Sequence, residues 1–346
     1  MKTDGPTRII SEGIDHIITL PVFNWDNMRA QMPMANIYNS LKAKLGKSPL
    51  IHVAEKLEQR VKKKDVVVLT TGFYVTSGDT LETDGPPGAV TLARGIDVGL
   101  EAALVMVVDE NFVDSMKTIC AATGLNVCGT DKIKNGPHRI AVEGFPKEDK
   151  KAEATAERLM RTLNPSALIS VECDDRNSKG VYHSASGNNL TPYQAKLPVL
   201  FDSAYRSDAF TVGIGDFGNE IGMANLRDIF QELTPSHAKC KCGCGSGIVG
   251  STRTHGSIIA NISNWGAYGL EAALALVLQN SDVMHDPALE TRVLEETARQ
   301  GYVDGATGLI EPTADGASRE INANIVHMLR ALLLLQESKL FQRALS

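Results

Sequence analysis

The sequence lacks an excess of positive charge and has no long hydrophobic run. Its 346 residues include 35 Lys and Arg against 41 Asp and Glu, for a net charge of −6. Contacts with nucleic-acid phosphates need a basic face, and the one short basic run, Lys62 to Lys64, is typical of a helix end. The longest apolar segments, Ala272 to Leu278 and Ala331 to Leu335, are far shorter than the roughly 20 residues of a membrane span. We therefore expect neither a nucleic-acid nor a membrane partner.

Cysteine is scarce, and no export signal is visible near the N-terminus. The chain has six cysteines, and no long apolar stretch follows Met1. Cys120, Cys128 and Cys173 lie in apolar runs, where a free thiol packs as a small hydrophobic side chain. We therefore expect a cytoplasmic protein in a reducing compartment, whose core forms without disulfides.

Short β-branched runs alternate with helical stretches over most of the chain. This alternation favours an α/β fold of three layers, with a largely parallel sheet and helices on both faces. Residues 1–64 are expected to form an N-terminal helical cap, and residues 65–346 the α/β catalytic domain. The predicted strands are 65–72, 103–108, 126–129, 139–142, 167–172, 211–214 and 258–262, and the predicted helices are 89–100, 112–123, 150–163, 220–232, 268–278, 287–300 and 320–344.

The segments that directly follow predicted strands hold most of the unusual polar and glycine-rich sequence. In a parallel sheet, ligands bind beyond the C-terminal ends of the strands. Side chains from distant parts of the chain should therefore meet at one edge of the sheet. The segments are 70–88, 172–177, 216–220 and 263–266.

The first of these segments combines two carboxylates with a rigid turn. Glu82 and Asp84 precede Gly-Pro-Pro-Gly, and a helix follows. Proline fixes φ and glycine frees it, so the backbone from Gly85 to Gly88 is held in one unusual shape, and the helix start can receive an anion. The alternative is a surface turn in which Asp84 is only a cap.

The second segment, Gly213 to Met223, matches the dinucleotide pattern Gly-x-Gly-x-x-Gly. Asp216 and Glu220 stand in and just after this loop, where they would repel a pyrophosphate. Two carboxylates that face one point need a cation, so the metal interpretation explains more of these residues. The alternative is a pair of solvated acids at a helix start, stabilised by the helix dipole.

The third and fourth segments offer further polar groups at the same edge. Glu172 ends an apolar run, and Arg176 after it is suited to bidentate binding of a carboxylate or phosphate. A charged loop in which Arg176 pairs with Asp174 or Asp175 is the alternative. In the segment Ser263 to Gly266, Asn264 offers an amide and Trp265 a flat wall, although Trp265 is as well suited to the core.

Three alternate cysteines, Cys240, Cys242 and Cys244, form the remaining unusual segment. The spacing differs from the Cys-x-x-Cys of zinc knuckles, and only His237 and His255 are near in sequence. A loop with incidental thiols is the default interpretation, and a zinc or redox site is the alternative.

Taken together, these segments resemble the C-terminal domain of D-glutamate cyclases. The likeness runs in order through Thr71-Gly72-Phe73, Glu82 to Ala89, Gly213 to Met223 and Ser263 to Gly266. The resemblance implies cyclisation of D-glutamate to 5-oxo-D-proline with loss of water. A manganese-dependent phosphatase is the runner-up, and a non-catalytic ligand-binding domain remains a third alternative. Asp174-Asp175 and the cysteine-rich loop depart from the pattern expected of the family.

The site that we expect is a carboxylate cluster around Mn²⁺ or Mg²⁺, since carboxylates suit hard cations. The predicted metal ligands are Asp84, Glu172, Asp216 and Glu220. Asp84 or Glu82 is predicted to take the ammonium proton of a small acidic substrate. The C-terminal helix is suited to pack in the core or against a second copy in a homo-oligomer. The predicted substrate-binding residues are Gly85, Gly88, Arg176, Asn177, Asn219, Asn264 and Trp265.

Overall fold

A parallel β-sheet forms the centre of the protein. The computed structural model describes residues 5–21, 33–234, 237 and 239–337. Within them, seven strands form one sheet in the order β5-β6-β4-β1-β7-β8-β9, and all neighbours are parallel. Two further pairs, β2 with β3 and β10 with β11, are antiparallel. The strands are β1 (Val66–Gly72), β2 (Tyr74–Val75), β3 (Thr80–Leu81), β4 (Ala103–Asp109), β5 (Asn126–Val127), β6 (Arg139–Phe145), β7 (Ala167–Cys173), β8 (Phe210–Gly215), β9 (Gly256–Ile259), β10 (Thr313–Ala314) and β11 (Ala317–Ser318).

Helices cover both faces of the sheet, which confirms the predicted three-layer α/β fold. Alternate residues of β1 enter different cores: Val67 and Leu69 pack against the helices on one face of the sheet, whereas Val66 and Val68 pack against those on the other face. Every residue of β1 is buried, as expected for a sheet covered on both sides. The helices are α1 (Gly5–Ile18), α2 (Met34–Leu45), α3 (Pro49–Arg60), α4 (Pro86–Leu100), α5 (Val113–Ala122), α6 (Asp149–Leu163), α7 (Pro198–Tyr205), α8 (Arg227–Leu233), α9 (Ser263–Leu278), α10 (Pro287–Arg299) and α11 (Arg319–Glu337).

The direction of the chain reverses beside β1. From β1 the chain moves to β4 on one side, and after β6 it returns to β7 on the other side. The loops after β1 and β7 therefore leave the sheet in opposite directions and open a crevice between them. This crevice lies at the edge where the sequence predicted the functional side chains.

Among the described residues, three helices precede the sheet, and they share its core. Gly269 of α9 lies so close to Ile18 and Leu50 that an added Cβ would stand 2.7 Å and 3.1 Å from their side chains. Parts of the predicted cap, residues 1–4 and 22–32, lie outside the described residues, as does the end of the predicted C-terminal helix beyond residue 337. No helix in the described ranges combines the length and the apolar character needed to cross a membrane.

Two predicted helix starts are wrong, and one helix was not predicted. The helix expected from Glu220 begins only at Arg227, because Gly222 adopts a left-handed φ angle of +93° that interrupts a helix. Conversely, α9 begins at Ser263, earlier than expected, because a carboxylate from another loop satisfies its first N–H groups. The short helix α7 had no clear pattern in the sequence.

Candidate active site

Buried carboxylates from four loops meet beyond the C-terminal ends of the central strands. One oxygen each of Glu172, Asp216 and Glu220 lies within 4.8 Å of the others. A second trio with the same spacing joins Asp84, Asp216 and Asp315, so Asp216 belongs to both. The four predicted metal ligands are thus close together in space, as expected of residues that follow the C-terminal ends of parallel strands.

A cavity of about 270 Å³ opens directly onto this cluster. Five carboxylate side chains line it, and none of the described lining residues is Lys, Arg or His. Its walls come from the loop after β1, the loop 184–190, the loop after β8 and the segment 305–315. The lining residues that bear on the chemistry are Tyr74, Glu82, Glu172, Ser184, Ser186, Asn188, Asp216, Asn219, Glu220 and Asp315.

Glu172 owes its position to a break in the pairing of β1 with β7. Thr71 pairs with Val171, but Gly72 pairs with Cys173, so Glu172 is left as an extra residue in a bulge. Its φ of +48° is left-handed, which is uncommon for a residue with a side chain and is found where surrounding structure imposes it. The bulge turns the carboxylate into the cavity.

The electrostatic environment of Glu172 is unfavourable for a negative charge. Burial is the main cause that raises its pKa well above the ordinary value, and the neighbouring acids Asp216, Glu220, Glu82 and Asp84 raise it further. Such a cluster is relieved either by protons or by a cation of high charge. Carboxylate oxygens are the ligands that Mn²⁺ and Mg²⁺ prefer, so the donor set fits a hard divalent ion.

Asp84 and Asn264 hold the two loops that flank the cavity. Asp84 accepts hydrogen bonds from the backbone N–H groups of Ser263 (2.9 Å) and Asn264 (2.8 Å) at the start of α9. The side-chain oxygen of Asn264 accepts from the N–H groups of Gly85 (2.9 Å) and Gly88 (2.8 Å) at the start of α4. Asp84 is therefore a cap, but a buried one for a helix remote in sequence, and not part of a surface turn.

Glu220 organises the glycine-rich loop around its own carboxylate. The N–H groups of Phe217 and Gly218 donate to it at 2.9 Å and 2.8 Å. A Cβ at Gly215 would stand 2.5 Å from the same carboxylate, so glycine is needed there for space. The N–H groups of this loop therefore bind the carboxylate of Glu220, whereas in a dinucleotide-binding protein a loop with this pattern binds a pyrophosphate.

The sequence analysis missed Asp315, which reaches the cavity from a tight turn between β10 and β11. Asp315 and Gly316 have φ angles of +52° and +78°, the left-handed pair that a two-residue hairpin of type I′ requires. Asp304 accepts from the N–H of Gly316 at 2.8 Å and holds this turn in place. The Asp-Gly dipeptide is the signal in the sequence that could have identified the hairpin.

Six of the seven predicted substrate-binding residues lie outside the described lining of the cavity, and three of these six make their bonds elsewhere. Arg176 forms an ion pair with Asp202 and not with its neighbours in the loop. Asn177 donates to the backbone of Gly247 at 2.8 Å and to the sulfur of Cys244 at 3.3 Å. Trp265 is buried, and its indole N–H donates to a buried asparagine of α11 at 2.8 Å.

The other predicted substrate-binding residues divide between lining and support. Asn219 lines the cavity, its amide N–H₂ donates to the backbone oxygen of His183 at 2.9 Å, and its amide oxygen has no hydrogen-bond partner in the described chain. Gly85, Gly88 and Asn264 bond to one another behind the cavity wall. These three residues therefore support the position of the carboxylates without lining the cavity.

Comparison with known proteins agrees with this geometry. A family model described as "D-glutamate cyclase-like, C-terminal" matches residues 37–330, a range that includes every carboxylate of the site. The human protein "D-glutamate cyclase, mitochondrial" is 26% identical over 219 residues, which are 61% of this chain and 33% of the human protein. This chain thus aligns with about a third of the length of that relative.

Proposed function

We propose, because this chain belongs to the D-glutamate cyclase-like C-terminal family, that it cyclises D-glutamate or a related acidic amino acid to 5-oxoproline with loss of water. The observation that supports this proposal is a small cavity lined by five carboxylates and, among its described residues, by no cationic side chain. An acidic substrate needs protons or a cation to offset the charge of such a site, and a cation would also bind the substrate carboxylate. We therefore propose a metal-assisted reaction.

The residues fit a hard divalent cation, Mn²⁺ or Mg²⁺. Asp216 lies in both trios and is the central ligand in this proposal, with Glu172 and Glu220 on one side and Asp84 and Asp315 on the other. Once bound, the cation would act as a Lewis acid that polarises the side-chain carboxylate of the substrate.

Support behind the carboxylates keeps them in place. Ser263 donates to Glu172 at 2.5 Å, and the backbone of Phe217 donates to Glu220 at 2.9 Å. Groups that hydrogen-bond to metal ligands fix their orientation and commonly alter metal affinity 10- to 100-fold when they are removed. The site is thus arranged before a substrate arrives.

Glu82 is the base in the proposed mechanism. Its carboxylate lines the cavity, whereas the oxygens of Asp84 accept N–H groups of α9. A Cβ at Gly305 would lie 2.3 Å from Glu82 Oε2 and 3.4 Å from Asp315 Oδ1, so these two acids approach each other beside Gly305, and both line the cavity that would receive an ammonium group. Removal of one proton by Glu82 makes the amine nucleophilic.

Ring closure then needs little more than correct positioning. The amine and the carboxylate carbon belong to one molecule, and holding them together supplies much of the rate. The free amide oxygen of Asn219 is placed to accept from the ammonium group, and Ser186 and Asn188 offer donors to a substrate carboxylate. The new bond joins nitrogen to the side-chain carbonyl carbon, and one carboxylate oxygen leaves as water with the two protons that the nitrogen gives up, one of them returned by Glu82.

The test is an assay of 5-oxoproline formation from D-glutamate and L-glutamate with Mn²⁺ or Mg²⁺, compared with a reaction without enzyme. We expect metal-dependent product that is lost in Glu82→Gln and Asp216→Asn. Asp208→Asn, at an exposed position, should keep full activity. If product never exceeds the enzyme-free rate with any metal or acidic amino acid, the proposal is wrong.

A further inference from the structure

Three sulfurs and one imidazole form a second cluster beside the cavity. It consists of Cys240, Cys242, Cys244 and His183, whose ligand atoms all lie within 4.8 Å of one another. The Cys240 sulfur is 3.3 Å from the sulfurs of both Cys242 and Cys244. The Nε2 atom of His183 is 3.1 Å from the Cys242 sulfur and 3.8 Å from the Cys244 sulfur. The sequence did not reveal His183 as the fourth member because it lies in a loop that is distant in sequence from the cysteines.

These separations are close to those of ligands around one small ion, with the sulfurs somewhat nearer to one another than they would be around bound zinc. Zinc bonds of about 2.3 Å to sulfur and about 2.0 Å to nitrogen give tetrahedral edges of roughly 3.8 Å and 3.5 Å. A disulfide would instead bring two sulfurs to about 2.05 Å, and the three cysteines are free thiols in the structure. Four ligand atoms that converge without a covalent bond between them have the arrangement of donors to a shared metal.

The local sequence explains how alternate cysteines can face one point. Gly243 and Gly245 alternate with the cysteines and have left-handed φ angles of +80° and +76°. A Cβ at either position would meet nothing within 4 Å, so the requirement for glycine is conformational and not steric. The two reversals of the backbone bring sulfurs from a very short segment to the same side.

The surroundings of the cluster are built to hold it. The ring of His183 is fully buried, and its backbone oxygen accepts the amide of Asn219 from the cavity wall. The side chain of Asn177 donates to the Cys244 sulfur at 3.3 Å, a contact that favours a thiolate. The backbone of Lys241 donates to Gly187 at 3.3 Å. The cluster thus joins the cysteine loop to the loop that carries Ser184, Ser186 and Asn188 into the cavity.

We propose that Cys240, Cys242, Cys244 and His183 form a structural Zn²⁺ site that fixes the 183–190 loop as a wall of the carboxylate cavity. Four protein ligands close the coordination shell, as in structural zinc sites, and leave no position for a substrate. Thiolates select zinc, whereas the carboxylates nearby select Mn²⁺ or Mg²⁺, so the two sites hold different ions. This site is independent of the reaction proposed above.

The first test is the metal content of the full chain purified without added metal. We expect about one zinc per chain, by analogy with other four-ligand sites. Zinc should be lost in Cys242→Ser, Cys244→Ser and His183→Ala. It should be retained in Cys128→Ser, a half-buried cysteine outside the cluster, and in Asp216→Asn, which alters only the carboxylate site. Equal zinc in the wild type and the cluster variants would overturn the proposal.

The second test uses only the wild-type chain and does not depend on the folding of a variant. After zinc is removed under reducing conditions, Co²⁺ should produce thiolate-to-cobalt absorption and the visible bands of a tetrahedral site. Hydrogen exchange of residues 183–190 should slow when zinc is restored, whereas added Mn²⁺ should not replace it. Absence of cobalt–thiolate absorption, or a purified protein in which two of these cysteines are joined as a disulfide, would overturn the site.

Discussion

Asp84 and Asn264 cap each other's helices: Asp84 accepts from the first turn of α9, and Asn264 accepts from the first turn of α4. Asp84 lies just before α4 and Asn264 in the first turn of α9, and both are almost fully buried. This exchange ties the loop after β1 to the loop after β9. The carboxylate of Asp84 is consequently held beside Asp216 and Asp315 before any ion binds.

Removing the side chain of Asn264 should weaken both the fold and the metal site. Asn264→Ala leaves the N–H group of Gly88 buried without its acceptor, and Gly85 keeps only its bond to Asp84 at 2.9 Å. Loss of a cap and of buried hydrogen bonds costs about 2 kcal/mol. We expect a free energy of unfolding lower by about that amount and a weaker affinity for Mn²⁺, measured by denaturant titration and by calorimetry.

The matched control for this change is Asn280→Ala. Asn280 caps only a short 3₁₀ turn by accepting from the N–H of Asp282 at 3.1 Å, far along the chain from the carboxylates. It should lower stability by less than about 1 kcal/mol and leave Mn²⁺ affinity unchanged. Equal Mn²⁺ affinity in both variants would mean that the Asn264 bridge does not position the site.

The hydroxyl of Ser263 should tune the metal site without affecting the fold strongly. It donates to Glu172 Oε2 at 2.5 Å, while the backbone N–H of Ser263 bonds separately to Asp84 and survives substitution. Ser263→Ala should weaken Mn²⁺ binding about tenfold, as is usual for a group that orients a ligand. Isothermal titration with Mn²⁺ provides the measurement.

A comparable bond at the opposite end of β7 supplies the control. The hydroxyl of Ser166 donates to Asp65 at 3.0 Å. Both residues lie at the N-terminal ends of the strands, at the edge of the sheet opposite the cavity. Ser166→Ala should bind Mn²⁺ as the wild type does. If both serine variants bind Mn²⁺ like the wild type, Glu172 needs no support from Ser263 and the proposed arrangement is wrong at that point.

Some parts of this site could be predicted from sequence, and the reasons are physical. Glu172 and Asp216 each follow a buried apolar run, and parallel strands bring such positions to one edge whatever the details of the loops. The bulge at Glu172 could not be predicted, since it depends on how β7 pairs with β1. Nor does the sequence show whether Arg176 faces the cavity or Asp202.

Contacts between distant segments account for the other omissions. Asp315 enters the site through a hairpin that packs beside the loop after β1, where Thr83 donates to Val303 at 2.8 Å. His183 completes the cysteine cluster from a loop without regular structure. An Asp-Gly turn and a single histidine each occur in many structural contexts. Their role in this protein depends on contacts between distant segments, which the local sequence does not show.

Asp216→Asn should have opposite effects on stability with and without metal. In the metal-free protein, Asp216 lies near four other acids, so neutralising it relieves like-charge repulsion and should raise the melting temperature. With Mn²⁺ at about 100 times its Kd, the wild type should gain roughly 2.7 kcal/mol and the variant almost none. Thermal unfolding with EDTA and with Mn²⁺ measures both effects.

Asp208→Asn provides the reference for charge removal at an exposed position. It should unfold like the wild type under both conditions. Wild-type protein that gains no stability from Mn²⁺ or Mg²⁺ at any concentration would contradict a hard-metal site at Asp216.

A buried ionic network between α9 and α10 should make stability depend on pH. The ring of His285 is 2.8 Å from Glu271 and 3.3 Å from Glu290, Tyr268 donates to Glu290 at 2.7 Å, and Arg330 of α11 bonds to the backbone beside the ring. Burial alone would lower the pKa of His285, but the facing carboxylates raise it from 6.5 to about 9. The histidine is therefore protonated in the folded protein at neutral pH.

Because the folded-state pKa is raised, the stabilisation is fully present below about pH 6.5 and is lost as the pH rises through about 9. The full difference is on the order of 3 kcal/mol. His285→Gln should lower the free energy of unfolding at pH 6, and the gap to the wild type should shrink toward pH 9. His327→Gln, exposed on α11, should follow the wild type throughout. A gap that stays constant across this range, in denaturant titrations at each pH, would mean that the network does not hold the proton.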